Sequence, residues 1–467
     1  MTAVPPIQPT ATNAPVPGSP KTALQRLRAF GRPPRVVALD IARGLAVLGM
    51  AAAHTVSLPG EIRWNDPSTW VEIVSGRSSI LFAVLAGISI AIMTGRTRIP
   101  ADTEIGRLRL QLVARGLVIF AIGLALELLG TSIAVILTFY GAVYAVAILF
   151  IGVRVRNLLI WAAALAIAGP ALAGALLALS ASGSGVTFIL GGTYSIVPWT
   201  VLMLVGLALG RLDVTRRKTA AFALLIGVAL SAVGYTAGGL WEAAQYGDGG
   251  SWSASSSEQS SLLEDEYEAE VIPGKQADLT GKLCEDYGDG YLSCYPEDEY
   301  VDTTDDASLS DEGNGWASYP DMIANADVGA TMLSAFMSSS PHSGGTMEIL
   351  GSGGLALALI GLLLLTGQSL RYVLLPIAAV GAMPLTAYTA HVIVIWAVIG
   401  PGGWNQPPLL YPFLAGGLLV ACTAWTLLIG RGPLERLTAW CSTQLAPGPG
   451  GPERRGHGTP PERGGAE

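Results

Sequence analysis

Asp40, Arg43 and His54 lie within one apolar run, RVVALDIARGLAVLGMAAAHTVSL, which extends from Arg35 to Leu58. Asp40 and Arg43 are three residues apart and share a helical face. His54, eleven residues beyond Arg43, returns to nearly the same side, roughly 16 Å further along the axis. An ionised side chain at the centre of a bilayer-crossing helix costs roughly 2.5–3.5 kcal/mol on insertion scales. A helix that keeps polar groups from one end almost to the other faces a cavity or pathway rather than lipid. An imidazole with an ordinary pKa of about 6.5 suits general-base work. A guanidinium suits an anionic substrate group or developing negative charge. The competing reading for Asp40 and Arg43 is a local ion pair, or an arginine reaching back to the interface; for His54 it is a hydrogen-bonded packing histidine.

Further polar residues belong at the level of His54 if successive apolar runs cross in opposite directions. Glu72, Gly76, Arg77, Ser78 and Ser79 open the second run, and Glu127 closes the third. His342 precedes the eighth run in SSSPHSGGTMEILGSGG, and Tyr388 and His391 sit three apart in the ninth. Three of the four histidines in the chain therefore fall in one layer. In this layer His54 is the leading candidate base and Arg77 the candidate for binding or stabilising negative charge, with His342, Tyr388 and His391 beside them.

The elements that must position these groups are transmembrane helices. The 467 residues are 51% hydrophobic and only 13% charged, against about 25% charged in soluble domains. Ten runs are long enough to cross the hydrocarbon core: 36–58, 73–94, 111–130, 132–152, 157–179, 190–210, 219–240, 347–367, 372–399 and 408–430. The expected fold is an all-α polytopic membrane protein with about ten transmembrane helices and one long external acidic loop. Pro376, Gly381 and Pro384 mark the ninth run for a kink or a broken pair. Basic residues cluster in alternate connections: Arg26 to Arg35, Arg96 to Arg109, Arg154 and Arg156, Arg211 to Lys218, Arg371, and Arg431 with Arg436. By the positive-inside rule those connections and both termini are cytoplasmic, in a multi-pass protein of the plasma membrane. No cleavable signal pattern opens the chain.

Five regions follow: a disordered tail at 1–34, helices 1–7 at 35–240, an acidic external loop at 241–345, helices 8–10 at 346–430, and a Pro/Gly-rich cytoplasmic tail at 431–467. The segment Trp241 to Gly345 holds 22 of the 35 acidic residues and two of the 27 basic ones. Runs such as EDEYEAE read as a solvated segment. They lack the Asp-x-Asp-x-Asp-Gly spacing of a calcium loop, and no metal is expected. Cys284 and Cys294 lie on the oxidising side, where a small disulfide-closed loop is expected. Cys422 and Cys441 are expected to be free thiols. No G-x-x-x-x-G-K-[ST] motif supports ATP-driven chemistry, and no nucleic-acid partner is expected.

LDIARGLAVLGM, the polar His54, Trp64 and Asn65 in RWND, and GRSSILFAVLAGISIAIM resemble the N-terminal part of the heparan-alpha-glucosaminide N-acetyltransferase-like membrane domain. PHSGGTMEILGSGGLALA and GAMPLTAYTAHVIVI are similar to the C-terminal region of bacterial YeiB-like membrane proteins. The first resemblance implies a transmembrane acyltransferase. Acetyl-CoA or another acyl-CoA would bind on the cytoplasmic side, and the acyl group would pass to an amine or hydroxyl acceptor on the other side, such as an envelope glycan or a lipid-linked acceptor. Arg96, Arg98, Arg107, Arg109 and Arg115 would then hold the CoA phosphates, although positive-inside bias also accounts for them. Asp40 and Arg43 would organise the path of the donor. Members of the family carry a catalytic histidine three residues before the Trp-Asn pair. Here that position is Glu61, and His54 stands where those enzymes have an asparagine. Either His54 or Glu61 would take over as base, Glu61 only with its pKa raised by burial.

A different class remains open: a small-solute or proton-coupled permease using the same polar face, with histidines as relays. It would be favoured by an internal repeat, and none is visible. A third reading is a catalytically silent envelope protein that uses the acidic loop to bind a partner. Acceptor identity, acyl length and the choice between monomer and homo-oligomer are left open by the sequence.

Overall fold

Each of the ten apolar runs holds a helix in the computed structural model. It describes residues 22–32, 35–60, 62–63, 65–180, 190–191, 194–246, 280, 282–286, 292–296, 320, 323–324, 326–403 and 407–446. The N-terminal half contains a short α1 (Ala23–Ala29), α2 (Val37–Ala53), a 3-10 helix (Pro67–Val74) leading into α3 (Arg77–Met93), and α4 (Asp102–Glu127). Then come α5 (Ile136–Ala147), α6 (Val155–Ala178), α7 (Ile196–Arg211) and α8 (Arg217–Tyr246). Near the end of the acidic segment lies α9 (Val328–Met337), and after it follow α10 (Thr346–Thr366), α11 (Leu375–Ala382), α12 (Pro384–Ile399), α13 (Leu410–Leu428) and α14 (Pro433–Leu445).

Among the described residues six stretches are long and apolar enough to cross a membrane: Pro67–Met93, α4, α6, Arg217–Gln245, α10 and α13. The pair α11 and α12, bent by 91° at the break, makes a seventh if it counts as one span. The chain is therefore a multi-pass membrane protein, while α2, with 17 residues, α5 and α7 are shorter than full spans. The break in the ninth run falls at Met383, because Pro384 cannot continue a helix hydrogen-bond ladder but fits at the start of a new one. The Pro67–Met93 stretch is 72% buried and α8 only 22%, which sets α3 at the centre of the bundle and α8 at its rim.

Where helices cross closely, glycine removes the side chain that would hold them apart. A Cβ on Gly381 of α11 would overlap the Asp40 carbonyl and the Gly44 amide of α2, and a Cβ on Gly44 would overlap the Ile377 carbonyl. Gly87 of α3 and Gly206 of α7 meet in the same way, each against the other helix's backbone. Gly49, the other glycine of α2, faces Ser78.

Arg211 at the end of α7 is 4% exposed. It donates to the carbonyls of Thr94 (3.0 Å), Arg96 (3.1 Å), Arg98 (2.9 Å) and Ile151 (2.8 Å), and to the Thr94 hydroxyl (2.9 Å). A residue that reads in the sequence as a topology marker thus ties together the ends of α3 and α5. Its donors satisfy carbonyls that the helix ends leave unpaired.

The chain divides into two units, residues 1–255 with 329–467, and residues 256–328. Within the second, β1 (Lys282–Asp286) and β2 (Leu292–Pro296) form an antiparallel hairpin with Cys284 directly opposite Cys294. Cys294 is disulfide-bonded, and Cys422 and Cys441 are free, as expected. The acidic stretch beginning at Trp241 is not loop throughout, since α8 continues to Tyr246 and α9 starts at Val328.

The Gly381 contact is testable. Gly381→Val forces α2 and α11 apart and is expected to destabilise by about 1–3 kcal/mol, as overpacking does, read as a lower unfolding midpoint in detergent. Gly417→Val, where nothing lies within 4 Å, is expected to leave the midpoint unchanged.

Candidate functional site

At the arginine-rich end of the bundle, Asp40 is 5% exposed and is held between two guanidiniums. Arg35 bonds one carboxylate oxygen and Arg43 the other, the latter at 3.1 Å. The local ion pair therefore forms, but Arg43 also reaches across to the Ser89 hydroxyl on α3 (2.9 Å). Its guanidinium opens on a cavity of about 270 Å³. Arg115 of α4 lines the same cavity and donates to the Tyr144 hydroxyl of α5 at 3.3 Å. Two cations and several hydroxyls on apolar walls suit a slender anionic ligand with an apolar tail.

The cavity lining on α3 runs from Met93 to Phe82, roughly 16 Å of helix. On α5 it runs from Tyr144 through Tyr140 to Leu137. The broken helix contributes Gly381, Ala382, Pro384 and Leu385, and α14 contributes Glu435. The Glu435 carboxylate accepts from the Leu385 amide (2.8 Å), the Thr386 amide (3.2 Å) and the Thr386 hydroxyl (2.6 Å). It thereby caps the otherwise unpaired N-terminus of α12 and meets the positive end of that helix dipole.

Beyond the cavity lies the histidine layer. The Tyr388 hydroxyl accepts from the Ile136 amide at 3.2 Å, next to the cavity-lining Leu137. One turn further along α12, His391 packs edge-on to Tyr388, with ring centroids 4.7 Å apart. His391 in turn stacks on His54, with centroids 5.8 Å apart and ring planes within 4°. His391 is fully buried, and neither ring nitrogen has a partner of good hydrogen-bond geometry. His54 caps α2 at its C-terminus; residues 54–58, read as part of the helix in the sequence, leave it in a turn.

His342 joins the same layer from the loop before α10. Its ring packs edge-on to Tyr194 at 5.9 Å, and its backbone holds φ of +66°, a conformation uncommon outside glycine. Glu348, 3% exposed, holds that loop: it accepts from the His342 amide (2.7 Å), the Gly344 amide (2.7 Å) and the Ser343 hydroxyl (3.3 Å). His342, Glu348, Ser79, Ser195 and Trp199 line a pocket of about 20 Å³, room for about one water. Arg77 is engaged nearby, with Nε donating to the Tyr235 hydroxyl (2.7 Å) and Nη1 to the Glu72 carbonyl (3.0 Å). The structure thus brings together His54, Tyr388 and His391 as one contact chain, with His342 in the loop before α10 and Arg77 at the start of α3 nearby.

Residues 35–237 match the family model of the heparan-alpha-glucosaminide N-acetyltransferase catalytic domain. Comparison with curated proteins and with solved structures gave no match. The N-terminal part of the chain is thus similar to a transmembrane acetyltransferase catalytic domain, as the sequence motifs lead one to expect. The match takes in Arg43, Arg115, Tyr140 and His54, whereas Gly381, Tyr388, His391 and Glu435 lie beyond its end. Both the cavity and the histidine layer therefore combine residues from the acetyltransferase-like part and from the part that follows it.

The remaining expected site residues sit elsewhere. Glu61, which stands at the histidine position of the acetyltransferase family, and Trp64 lie outside the described residues. Between them and α3, Asp66 accepts from the Ser68 hydroxyl and amide, and these bonds hold its carboxyl below the usual carboxylate range. Glu127 is exposed and accepts from the Thr138 hydroxyl at 2.8 Å. Arg96 is not on the cavity wall, and its carbonyl serves Arg211. Arg98 is bonded to Glu104 through both carboxylate oxygens, at 3.1 Å each. Among the described residues no cluster of three or more His, Cys, Asp or Glu could hold a metal ion.

Sequence reasoning missed Ser89, Tyr140, Tyr144, Glu348 and Glu435. Glu348 carried a signal, an acid at the very start of an apolar run. The tyrosines carried none, because aromatic residues on an apolar helix read as ordinary core.

A buried imidazole without good hydrogen bonds is a cost that a packing role does not require. His391→Leu is close to histidine in volume and removes an unpaired polar group worth about 1–3 kcal/mol. Its unfolding midpoint in detergent is expected to equal or exceed that of the unchanged protein; a clear fall would show that His391 is held by hydrogen bonds and is a structural histidine.

Proposed function

We propose that this protein is an acyl-CoA-dependent transmembrane acyltransferase, moving an acetyl or similar acyl group from a cytoplasmic donor to an amine or hydroxyl acceptor in the cell envelope. The observation that carries the reading is the cavity between Arg43 and Arg115, built largely from the stretch similar to an acetyltransferase catalytic domain. In this reading the arginine-rich end faces the cytoplasm together with both termini, and residues 241–345 lie outside the plasma membrane. The tails, the two helical blocks at 35–240 and 346–430, and the external segment keep the divisions read from the sequence.

Arg43 and Arg115 bind the anionic donor by charge-assisted hydrogen bonds, with Asp40 fixing the Arg43 rotamer. A thioester donor supplies an activated acyl group. The chain's own residues orient it along α3 and exclude water from it. His54 takes the proton from the acceptor as it attacks. His391, stacked on His54, and Tyr388 carry the polar path down to the cavity. Arg77 and His342 sit at the acceptor side, where the envelope glycan or lipid-linked acceptor arrives.

The test is acetyl-CoA turnover by the purified protein in lipid nanodiscs, following CoA release and transfer of labelled acetyl to added envelope lipids and glycans. His54→Ala is expected to abolish transfer while leaving acetyl-CoA binding intact. Arg115→Ala is expected to weaken acetyl-CoA binding by about 10–100-fold, the loss of a hydrogen bond to a charged group. A protein that neither binds nor consumes acetyl-CoA refutes the donor.

A further inference from the structure

Tyr140 and Tyr144 line the cavity, Tyr194 and Tyr388 pack against the start of α5 beside it, and three of these four hydroxyls are partnered. Tyr144 accepts from Arg115 at 3.3 Å, Tyr388 accepts from the Ile136 amide at 3.2 Å, and Tyr194 donates to the Ala134 carbonyl at 3.2 Å. Tyr140 is different. It is 4% exposed, it lines the cavity, and its hydroxyl has no hydrogen-bond partner.

Its ring is fixed from two sides. Phe82 packs against it at 5.0 Å between centroids, and Trp199 meets it edge-on at 5.9 Å. Phe82 belongs to the cavity wall, and Trp199 belongs to the wall of the small pocket shared with His342 and Glu348. Tyr140 therefore stands in the partition between the two spaces. Tyr140 and Tyr144 are one turn apart on α5 and line the same cavity. The nearer of the two to Arg115 is satisfied by it, and the other is left unsatisfied.

A phenylalanine would fill the same volume without burying a hydroxyl that lacks a partner, which is a net cost to the fold. An orphaned donor on the wall of a cavity is accounted for by a ligand oxygen that completes it. We infer that the Tyr140 hydroxyl is a catalytic hydrogen-bond donor to the carbonyl oxygen of the acyl thioester, the group that stabilises the oxyanion during transfer. This rests on the acyltransferase reading and specifies which end of the donor reaches the Phe82–Tyr140–Trp199 partition.

The acceptor's nitrogen or oxygen forms a bond to the thioester carbonyl carbon, and the carbonyl electron pair moves onto oxygen, where the Tyr140 O–H meets it. The acceptor's proton passes to His54. Collapse of the adduct restores the carbonyl and breaks the carbon–sulfur bond, and the departing thiolate takes up the proton that His54 received, so that acceptor and donor exchange one acyl group for one hydrogen. Tyr140 remains protonated throughout. A preorganised donor of this kind acts in a low-dielectric site, where it contributes more than it would in water.

The experiment uses the full chain in nanodiscs and two non-transferable probes, S-acetonyl-CoA, which keeps a carbonyl, and S-propyl-CoA, which does not. The unchanged protein is expected to bind the ketone about 3–10-fold more tightly, the range of one neutral hydrogen bond, and Tyr140→Phe to bind both equally. In turnover with acetyl-CoA, Tyr140→Phe is expected to lose about 10²–10³-fold in kcat with KM within about threefold, and to be no less stable than the unchanged protein. If Tyr140→Phe keeps the preference for the ketone, or turns over normally, the assignment is overturned and the acyltransferase stands. If the unchanged protein binds neither probe nor acetyl-CoA, the acyltransferase reading fails and this inference fails with it.

Discussion

The backbone contact between α2 and α11 is the constraint on which the rest of the site depends. Gly381 lies against the Asp40 carbonyl and the Gly44 amide, and Gly44 lies against the Ile377 carbonyl. At that separation no side chain fits between the helices, so the ends of both are set by the crossing. Arg43 is consequently turned past α11 toward α3, where it finds Ser89. On the other helix, the chain breaks just after the contact, at Met383, and α12 leaves at 91° to α11. That departure angle puts Tyr388 and His391 beside α5 and the end of α2. A larger residue at either glycine would move the charged end and the histidine end of the site together.

The broken helix creates its own electrostatic problem. The N-terminus of α12 presents unpaired amides within a membrane protein, where no bulk water is at hand to satisfy them. Glu435 answers it from α14, a helix that follows the last apolar run. The same carboxylate borders the cavity that holds Arg43 and Arg115. A structural requirement of the fold has thus placed a negative charge next to two positive ones. Asp40 between Arg35 and Arg43, and Arg211 among four carbonyls and a hydroxyl, follow the same rule: each buried charge has its partners within about 3 Å. The buried atoms without a partner among the described residues include Arg211 Nε and the Thr131, Thr389 and Thr426 hydroxyls as well as the Tyr140 hydroxyl and the His391 ring nitrogens. The Tyr140 hydroxyl and the His391 ring border or adjoin the proposed path of the acyl group.

The similarity to the acetyltransferase catalytic domain stops at residue 237, yet the site does not. Tyr388 and His391 from α12, Glu435 from α14 and His342 from the loop before α10 complete it. The second helical block therefore contributes side chains to the proposed site alongside the first.

By itself the sequence determined the solvent, the helices and the axial level of their polar residues. Hydrophobic run length reports whether a segment can sit in hydrocarbon, and position along a run converts directly to depth. The Asp40–Arg43 pairing was legible for the same reason, because a spacing of three is a local property of one helix. So was the gathering of His54, His342 and His391 at one level, which needs only alternating helix directions. Depth, however, says nothing about rotation or neighbours. Only the tertiary structure decided that α12 turns His391 onto His54, that Arg115 takes Tyr144 and leaves Tyr140 without a partner, and that Arg96 and Arg98 serve other contacts while Arg43 and Arg115 share a cavity. Those outcomes depend on which helix faces which, and that is settled by close approaches at a few small residues far apart in the chain.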